Sequence, residues 1–393
     1  MSLRTQPPAM TAALRASLAD LVDAVLQLEG LTGQVGPFAL PSDTCDRAPD
    51  VVTAICQALN IPLAFDAPSG RGRDFAAVAL AVEIQRAQRS PELAGLRSED
   101  AAAEARRLRD DETAGYRVHA VRRPDGSVIT AVEAGRRETP CVLISPPCAL
   151  SHRLSLPWLR ALRFSYHCVI MQTRGTTERI EDPEAFDRRG YDVSRQVEDL
   201  LALIDELATS PVHLMGLCGG AAVALAAAAQ RPDRVSSVSQ WHADLELGSE
   251  AVKTDHQANL RALLDLGGES RDTAAWLREK LTSGPMTGVP EKIGPLVVRP
   301  YATAELFYRY AKLTGATMHW DSRQTATGVN QPCLVVTSED DNTAHPDGSR
   351  RLAEIVPGAR LVVAEHGTHL DAFRATNEQV SCLMSFLASA PSS

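Results

Sequence analysis

From residue 116 onward the chain changes between two hydrophobic rhythms. Residues 116–123 alternate apolar and polar, Pro124-Asp125-Gly126 is a turn signal, and 127–134 alternate again. That pattern predicts a β-hairpin. Cys141–Ser145, 166–172, Val212–Leu217, Val235–Trp241, 332–337 and Arg360–Ala364 are short apolar runs without alternation, as strands covered on both faces require. Between them, apolar residues recur at helical spacing in 157–162, Val193–Leu207, 221–229, 349–355 and 371–387. Strands alternating with helices predict a mostly parallel sheet with helices on both faces, opened by an antiparallel hairpin.

The rhythm breaks twice. From about 246 to 330 the strands stop and only helical segments remain, at 261–266, 274–281 and 302–313. A stretch of that length needs structure of its own, which predicts a helical lid. Before the hairpin, residues 1–90 predict a small all-helical domain, with amphipathic segments at 12–28, 50–59 and 74–86. Residues 91–114 are charged and alanine-rich and predict a solvated linker helix. The expected organisation is therefore a helical domain over 1–90, a linker over 91–114 and an α/β domain over 115–393.

Composition narrows the partners. A net charge of −9 with no long basic run argues against nucleic acid and membrane surfaces. No stretch of about 18 apolar residues is present, so no membrane span is expected. The N-terminus lacks the apolar segment of an export signal. The eight cysteines form no Cys-x-x-Cys pair and no zinc spacing with histidine. Free thiols, a cytoplasmic location and no bound metal are the expectation.

One cysteine stands apart. The strand Val212–Leu217 runs into Gly216-Leu217-Cys218-Gly219-Gly220 and then an alanine-rich helix. Strand, tight turn and helix with glycines two before and two after the apex is the context of a nucleophile elbow. Downstream, the run 332–337 ends near Asp340 and Asp341, and Arg360–Ala364 ends near His366 and His369. Nucleophile, acid and histidine thus follow in one order, each at a strand's C-terminal end, where open α/β sheets build their sites. A thiol needs a base to become a thiolate at neutral pH. A histidine supplies that base and a carboxylate fixes its tautomer.

These motifs resemble the α/β-hydrolase superfamily, in a version with Cys at the elbow. The resemblance implies the α/β-hydrolase fold, with the 246–330 insertion in the position of the cap. The family's acid sits three residues after a glycine that ends its strand; Ser338 occupies that place and points to Asp341, with Asp340 close behind. The family's histidine lies just before the last helix, which favours His369 over His366. The oxyanion would be held by the amide of Gly219 and by one from the loop Pro146-Pro147-Cys148-Ala149. The prolines lack N–H groups, leaving Cys148 or Ala149, and the family's loop favours Ala149.

Sulfur at the elbow sharpens the expectation. A Cys thioester formed from a thioester substrate keeps the acyl group activated, whereas a Ser ester would not. The Cys elbow, Thr173-Arg174-Gly175, the Pro-rich oxyanion loop and the N-terminal extension resemble carrier-protein-dependent aminoacyltransferases of nonribosomal peptide biosynthesis. That resemblance implies acyl-phosphopantetheine presented by carrier proteins as the substrate, with no cofactor bound to the chain itself. Trp241, Asp244, Glu246 and Arg174 are candidate substrate contacts, and His242, His319 and Trp320 candidate pocket walls. The N-terminal segment is similar to an acyl carrier protein, but Asp43-Thr44-Cys45-Asp46 stands where the family carries its prosthetic-group serine. A Cys thioesterase or dienelactone-hydrolase-like hydrolase is the main alternative, and a non-catalytic assembly-line interaction protein a further one.

Overall fold

The computed structural model describes residues 10–28, 38–40, 49–65, 83–84, 93, 96–176, 183–249, 251–283 and 290–389. The chain divides into two compact units, residues 1–114 with 279–302 and residues 115–278 with 303–393.

In the first unit, α1 (Ala12–Leu26) starts at Thr11, whose hydroxyl accepts from the Leu14 N–H. It buries Leu18, Leu21, Val22 and Val25. The strands β1 (Phe38–Leu40) and β2 (Leu63–Phe65) pair in parallel around α2 (Pro49–Ala58), which buries Val51, Val52, Ile55 and Cys56. Next comes α3 (Ser98–Thr113). Its Ala101 and Ala105 are fully buried, so it is a packed helix and not the solvated connector that its charges suggest. Alanines spaced i, i+4 make a narrow inner face, while Arg107 pairs with Glu104 and Asp111. Residues 43–46 and most of the helix expected over 74–86 lie outside the described residues.

The insertion also divides. Residues 279–302 belong to this first unit. The Lys292 N–H donates to Glu83 Oε1 at 2.8 Å, its ammonium lies 3.7 Å from Asp20, and Gln27 donates to its carbonyl. Sequence periodicity cannot reveal that a stretch expected inside one lid packs with another unit, because these contacts span more than 200 residues.

The second unit is built on an eight-stranded sheet. The hairpin β3 (Arg117–Arg122) and β4 (Val128–Ala134) leads into β5 (Cys141–Ser145), α4 (Leu156–Leu162) and β6 (His167–Met171). After α5 (Pro183–Arg189) come α6 (Val193–Leu207), β7 (Val212–Leu217), α7 (Gly220–Gln230) and β8 (Val235–Trp241). The helical insertion contributes α8 (Asp255–Gly267), α9 (Arg271–Thr282), α10 (Ala304–His319) and α11 (Ser322–Thr327). The chain closes with β9 (Cys333–Ser338), α12 (Pro346–Ile355), β10 (Arg360–Ala364) and α13 (Asn377–Ser389). The strand order is β10-β9-β8-β7-β5-β6-β4-β3, with β5 to β10 parallel.

One core holds this unit. Val197, Leu200, Leu203 and Ile204 of α6 and Ala221 to Ala228 of α7 are buried against Leu143, Val169, Leu214 and Val238. Each fully buried Val, Leu or Ile among these is worth about 1.5–3 kcal/mol. The strand order reverses direction at β5, so the loops after β5 and β7 face one crevice. That is the switch point at which ligands bind in open α/β sheets.

Candidate active site

Cys218 lies at that crevice with φ of 52°, between the end of β7 and the start of α7. Its N–H donates to the Trp241 carbonyl at 3.1 Å. The flanking glycines have a steric cause. A Cβ on Gly216 would lie 2.6 Å from the Ala221 Cα and collide with the Gln240 side chain. One on Gly220 would collide with the carbonyls of Ser145 and Pro146. The elbow therefore forms only if helix, strand and the loop after β5 meet without side chains between them.

That loop carries Ala149, with φ of 62°. Among the described residues, neither the Gly219 nor the Ala149 N–H is paired with another group. Gly219 follows Cys218 directly, and the loop that carries Ala149 meets the elbow at Gly220. The Cys148 carbonyl accepts from Thr314 of α10 at 2.9 Å, and Thr317 of α10 lies over Gly219. The last turns of α10 thus roof this side of the elbow.

Asp341 follows β9 in a tight turn, its N–H donating to Ser338 O at 3.3 Å. Its Oδ1 accepts from the N–H groups of Thr343 and Ala344, each at 2.9 Å. His369 Nδ1 lies 3.0 Å from Asp341 Oδ2, and Cys218 is close enough to act on the ring electrostatically. An ionised carboxylate only accepts hydrogen bonds, so the Nδ1 carries the proton and the Nε2 faces the thiol. The 3-10 turn His369–Phe373 that presents the ring is fixed by the reciprocal Thr368–Asp371 capping box. Trp158 Nε1–H also anchors it, donating to Ala372 O at 2.7 Å.

The electrostatics follow from these contacts. Burial disfavours a charged His369, but Cys218 and Asp341 outweigh burial and hold its pKa well above the ordinary value. Burial pushes Asp341 up, but hydrogen bonds from His242 and His369 and then the Ala344 N–H prevail and hold it far below the carboxylate range. Cys141, Cys148 and Cys333 are different: burial raises each thiol to about 12. They are small core residues, whereas Cys218 is half-buried.

The alternative acid and histidine find each other elsewhere. Asp340 and His366 form an exposed pair at 3.0 Å. Two other candidates are structural. The Arg174 guanidinium is buried and donates twice to Asp199 at 2.6 Å and to the carbonyls of Arg189, Gly190 and Arg195. It has no donor left for a substrate. Trp241 is fully buried, packs on Trp158 at 4.7 Å and donates to Ser239 Oγ, so it is core and not a substrate contact. Trp320 donates to Thr325 within the insertion, and the exposed His319 pairs with Asp265.

Asp244 does border a cavity. Its N–H donates to the Cys218 carbonyl at 3.4 Å, and its carboxylate accepts from Gln257 at 2.6 Å. Asp244, Leu245, Gln257, Arg261 and Met318 line a space of about 310 Å³ beside the elbow. Glu246 also lines it but is paired with Arg261 at 2.9 Å. The residues that tie α8 to the site escaped the sequence reading. Thr254 donates to Thr343 O, and Gln257 Oε1 accepts from the His345 N–H. Thr254-x-x-Gln257 is a capping-box spacing legible in the sequence, and it marks the start of the helix that closes over the acid loop. His242 was legible only as a pocket wall; its bond to Asp341 was not.

Other proteins share this frame. The alpha/beta hydrolase fold family matches residues 148–375, more than half of the chain. The "Putative carbamate hydrolase RutD" of Agrobacterium fabrum is 26% identical over 243 residues, covering 59% of this chain and 87% of that protein. Its namesake in Pseudomonas savastanoi pv. phaseolicola is 23% identical over 235 residues, with the same coverage. Among solved structures, the enol-lactonase of Burkholderia xenovorans superposes with a TM-score of 0.50 at 22% identity, over 67% of this chain and 98% of that one. The 2-hydroxy-6-oxo-6-phenylhexa-2,4-dienoate hydrolase of a Rhodococcus strain superposes with a TM-score of 0.53 at 18% identity, over 70% of this chain and all of that one. Among the described residues no helix is long and apolar enough to cross a membrane. The strand order, the elbow at the switch point and the family match agree: the chain belongs to the α/β-hydrolase fold family.

Proposed function

We propose that this enzyme is an acyltransferase that moves an acyl group between two thiols through a thioester on Cys218. The observation that carries the proposal is the half-buried thiol at the elbow, beside a histidine that Asp341 holds in place. The Cys218 thiolate attacks the carbonyl carbon of a thioester. The N–H groups of Gly219 and Ala149 take the oxyanion. The carbon–sulfur bond to the donor breaks, and the donor thiolate takes the proton from His369 Nε2. An acceptor thiol then gives its proton to the same nitrogen and attacks, and the Cys218 thiolate leaves. Each exchange trades one thioester for another, so the acyl group stays activated.

The thiols are phosphopantetheine arms on carrier proteins, and the acyl group is an aminoacyl group whose ammonium meets Asp244 in the adjoining cavity. Two features support this part. Glu246 is already paired with an arginine, whereas Asp244 has a neutral amide as its partner. Thr314 and Thr317 of α10 close over the oxyanion side, which restricts water.

Hydrolysis is the second reading, because the relatives named above are hydrolases. Intact-protein mass spectrometry after mixing with an aminoacyl-loaded carrier protein separates the two. The expected result is an acyl mass on Cys218 that moves to a second, unloaded carrier and is missing in Cys218→Ala. Release of free acid, with no transfer, would favour hydrolysis. Unchanged loading of the Ala variant would remove Cys218 from the reaction.

A further inference from the structure

Asp341 serves two histidines. His242 Nδ1 lies 2.8 Å from Asp341 Oδ2, the same oxygen that His369 Nδ1 approaches at 3.0 Å. The two rings stand nearly perpendicular, 85° apart, with centroids 5.9 Å from one another. Both residues are buried. His242 adopts φ of 47°, and its N–H is tied to the Val336 carbonyl at 2.8 Å. A non-glycine residue pays a steric penalty for that conformation, which persists where the surroundings over-determine it. Ala149 and Cys218 share this positive φ, so three strained positions converge on one site.

We infer that His242 is a positioning residue that moderates the grip of Asp341 on the His369 proton. The inference rests on His369 being the base for Cys218. A carboxylate can only accept, so both Nδ1 atoms carry hydrogen. Two N–H groups on one oxygen share its charge, and each receives less than it would alone. Orientation does not depend on His242, because Asp341 Oδ1 is pinned by the Thr343 and Ala344 N–H groups. Removing His242 therefore leaves the carboxylate in place and turns its charge fully onto His369. The imidazolium becomes harder to deprotonate and a poorer proton donor to a departing thiol. The other ionisable groups that act on His369 are Cys218 at the elbow and His256 from α8. Asp244 acts on His256 from the loop after β8.

Titration of the His369 ring, followed by imidazole NMR, tests this. The wild-type midpoint should lie above the ordinary 6.5. His242→Gly removes the ring without backbone strain and should raise the midpoint further, by about half a pH unit or more. His242→Asn restores an N–H at the Nδ1 position, tolerates positive φ, and should return the midpoint close to wild type. The basic limb of the transfer rate should move with it. A midpoint unchanged or lowered in the Gly variant overturns the inference. So does a wild-type His242 that carries its hydrogen on Nε2, which ¹⁵N shifts read without any variant. Cys218→Ala is the control: it should lower the His369 midpoint, and if it does not, the pairing of His369 with Cys218 fails and not the role of His242.

Discussion

Two buried carboxylates sit toward opposite ends of this sheet, and their partners set them apart. Glu133 of β4 is fully buried and bonds Arg117 at 2.9 Å, Arg137 at 2.7 Å, His167 at 2.8 Å and also His119. Asp341, beyond β9, is as buried and bonds two imidazoles and two backbone N–H groups. Burial pushes both carboxyls up, hydrogen bonds pull both down, and both end far below the usual range. Guanidinium groups stay charged at any relevant pH, so Glu133 is a permanently compensated knot. Asp341 has no guanidinium on it, and one of its two imidazoles faces Cys218, so its charge is left to act on a group that can exchange a proton. A low carboxylate pKa alone does not mark chemistry, and nor does an imidazole beside it, since Glu133 has His167; what sets Asp341 apart is an imidazole that also faces a thiol and no guanidinium to fix the charge.

The largest effect should come from the mobile end. Cys218→Ala should lower acyl transfer from a carrier-bound thioester by about a thousandfold or more and leave thermal stability nearly unchanged. Asp341→Asn should cost about a hundredfold or more, because the amide can present a donor where His369 and His242 need an acceptor. Single-turnover acylation, read by mass, checks both. An Asp341→Asn enzyme with near-normal rates would show that His369 keeps its tautomer without the acid.

Glu133→Gln should do the reverse. Removing the charge leaves two arginines without a carboxylate; both are nearly half exposed and water takes up their charge, so the cost should be about 1.5–3 kcal/mol, that of the lost charged hydrogen bonds, while the rate per folded molecule holds. The pH sign is fixed by the lowered carboxyl. Its stabilisation is present above about pH 4 and is lost as pH falls through the lower folded-state value. Acid melts of the wild type should therefore steepen below pH 4, and the Gln variant should lose part of that slope. An equally steep slope in Glu133→Gln would place the acid sensitivity elsewhere. Arg174→Ala belongs to the same class, at about 3 kcal/mol: it strands the buried Asp199, to which only Arg123 at 3.6 Å then remains. Its KM for the thioester should not change.

Much of this was legible in the chain, for a local reason. A buried parallel strand is an apolar run, and an elbow is a strand, two glycines and a helix, so Cys141–Ser145, Val212–Leu217 and the Cys218 turn declare themselves within a few residues. Asp341 and His369 were legible because each closes a strand at the same end of the sheet. What the sequence hides is pairing across distance. Arg174 looked available until the fold delivered Asp199 to it from α6. Trp241 reads as a substrate contact until α4 places Trp158 against it. His242 and Asp341 are separated by 99 positions, and no local pattern announces their bond. Residues 279–302 read as lid because periodicity reports that a helix has a buried face and not what covers it.

The smallest effect is expected at a third acid–imidazole pair. Asp340 and His366 are neighbours in sequence of Asp341 and His369 and sit at the same 3.0 Å, but their side chains are 59% and 82% exposed. Water screens an exposed pair to about 1 kcal/mol or less, and neither residue is bonded to the elbow. His366→Ala should change transfer less than about twofold and leave its pH profile in place. A fall comparable to that of a His369 variant would mean that the loop 365–368 rearranges during the reaction and that His366 enters the site. If the rate holds, one position between the acids and three between the histidines separate a surface ion pair from a proton relay, through burial and through the partner on the far side of the ring.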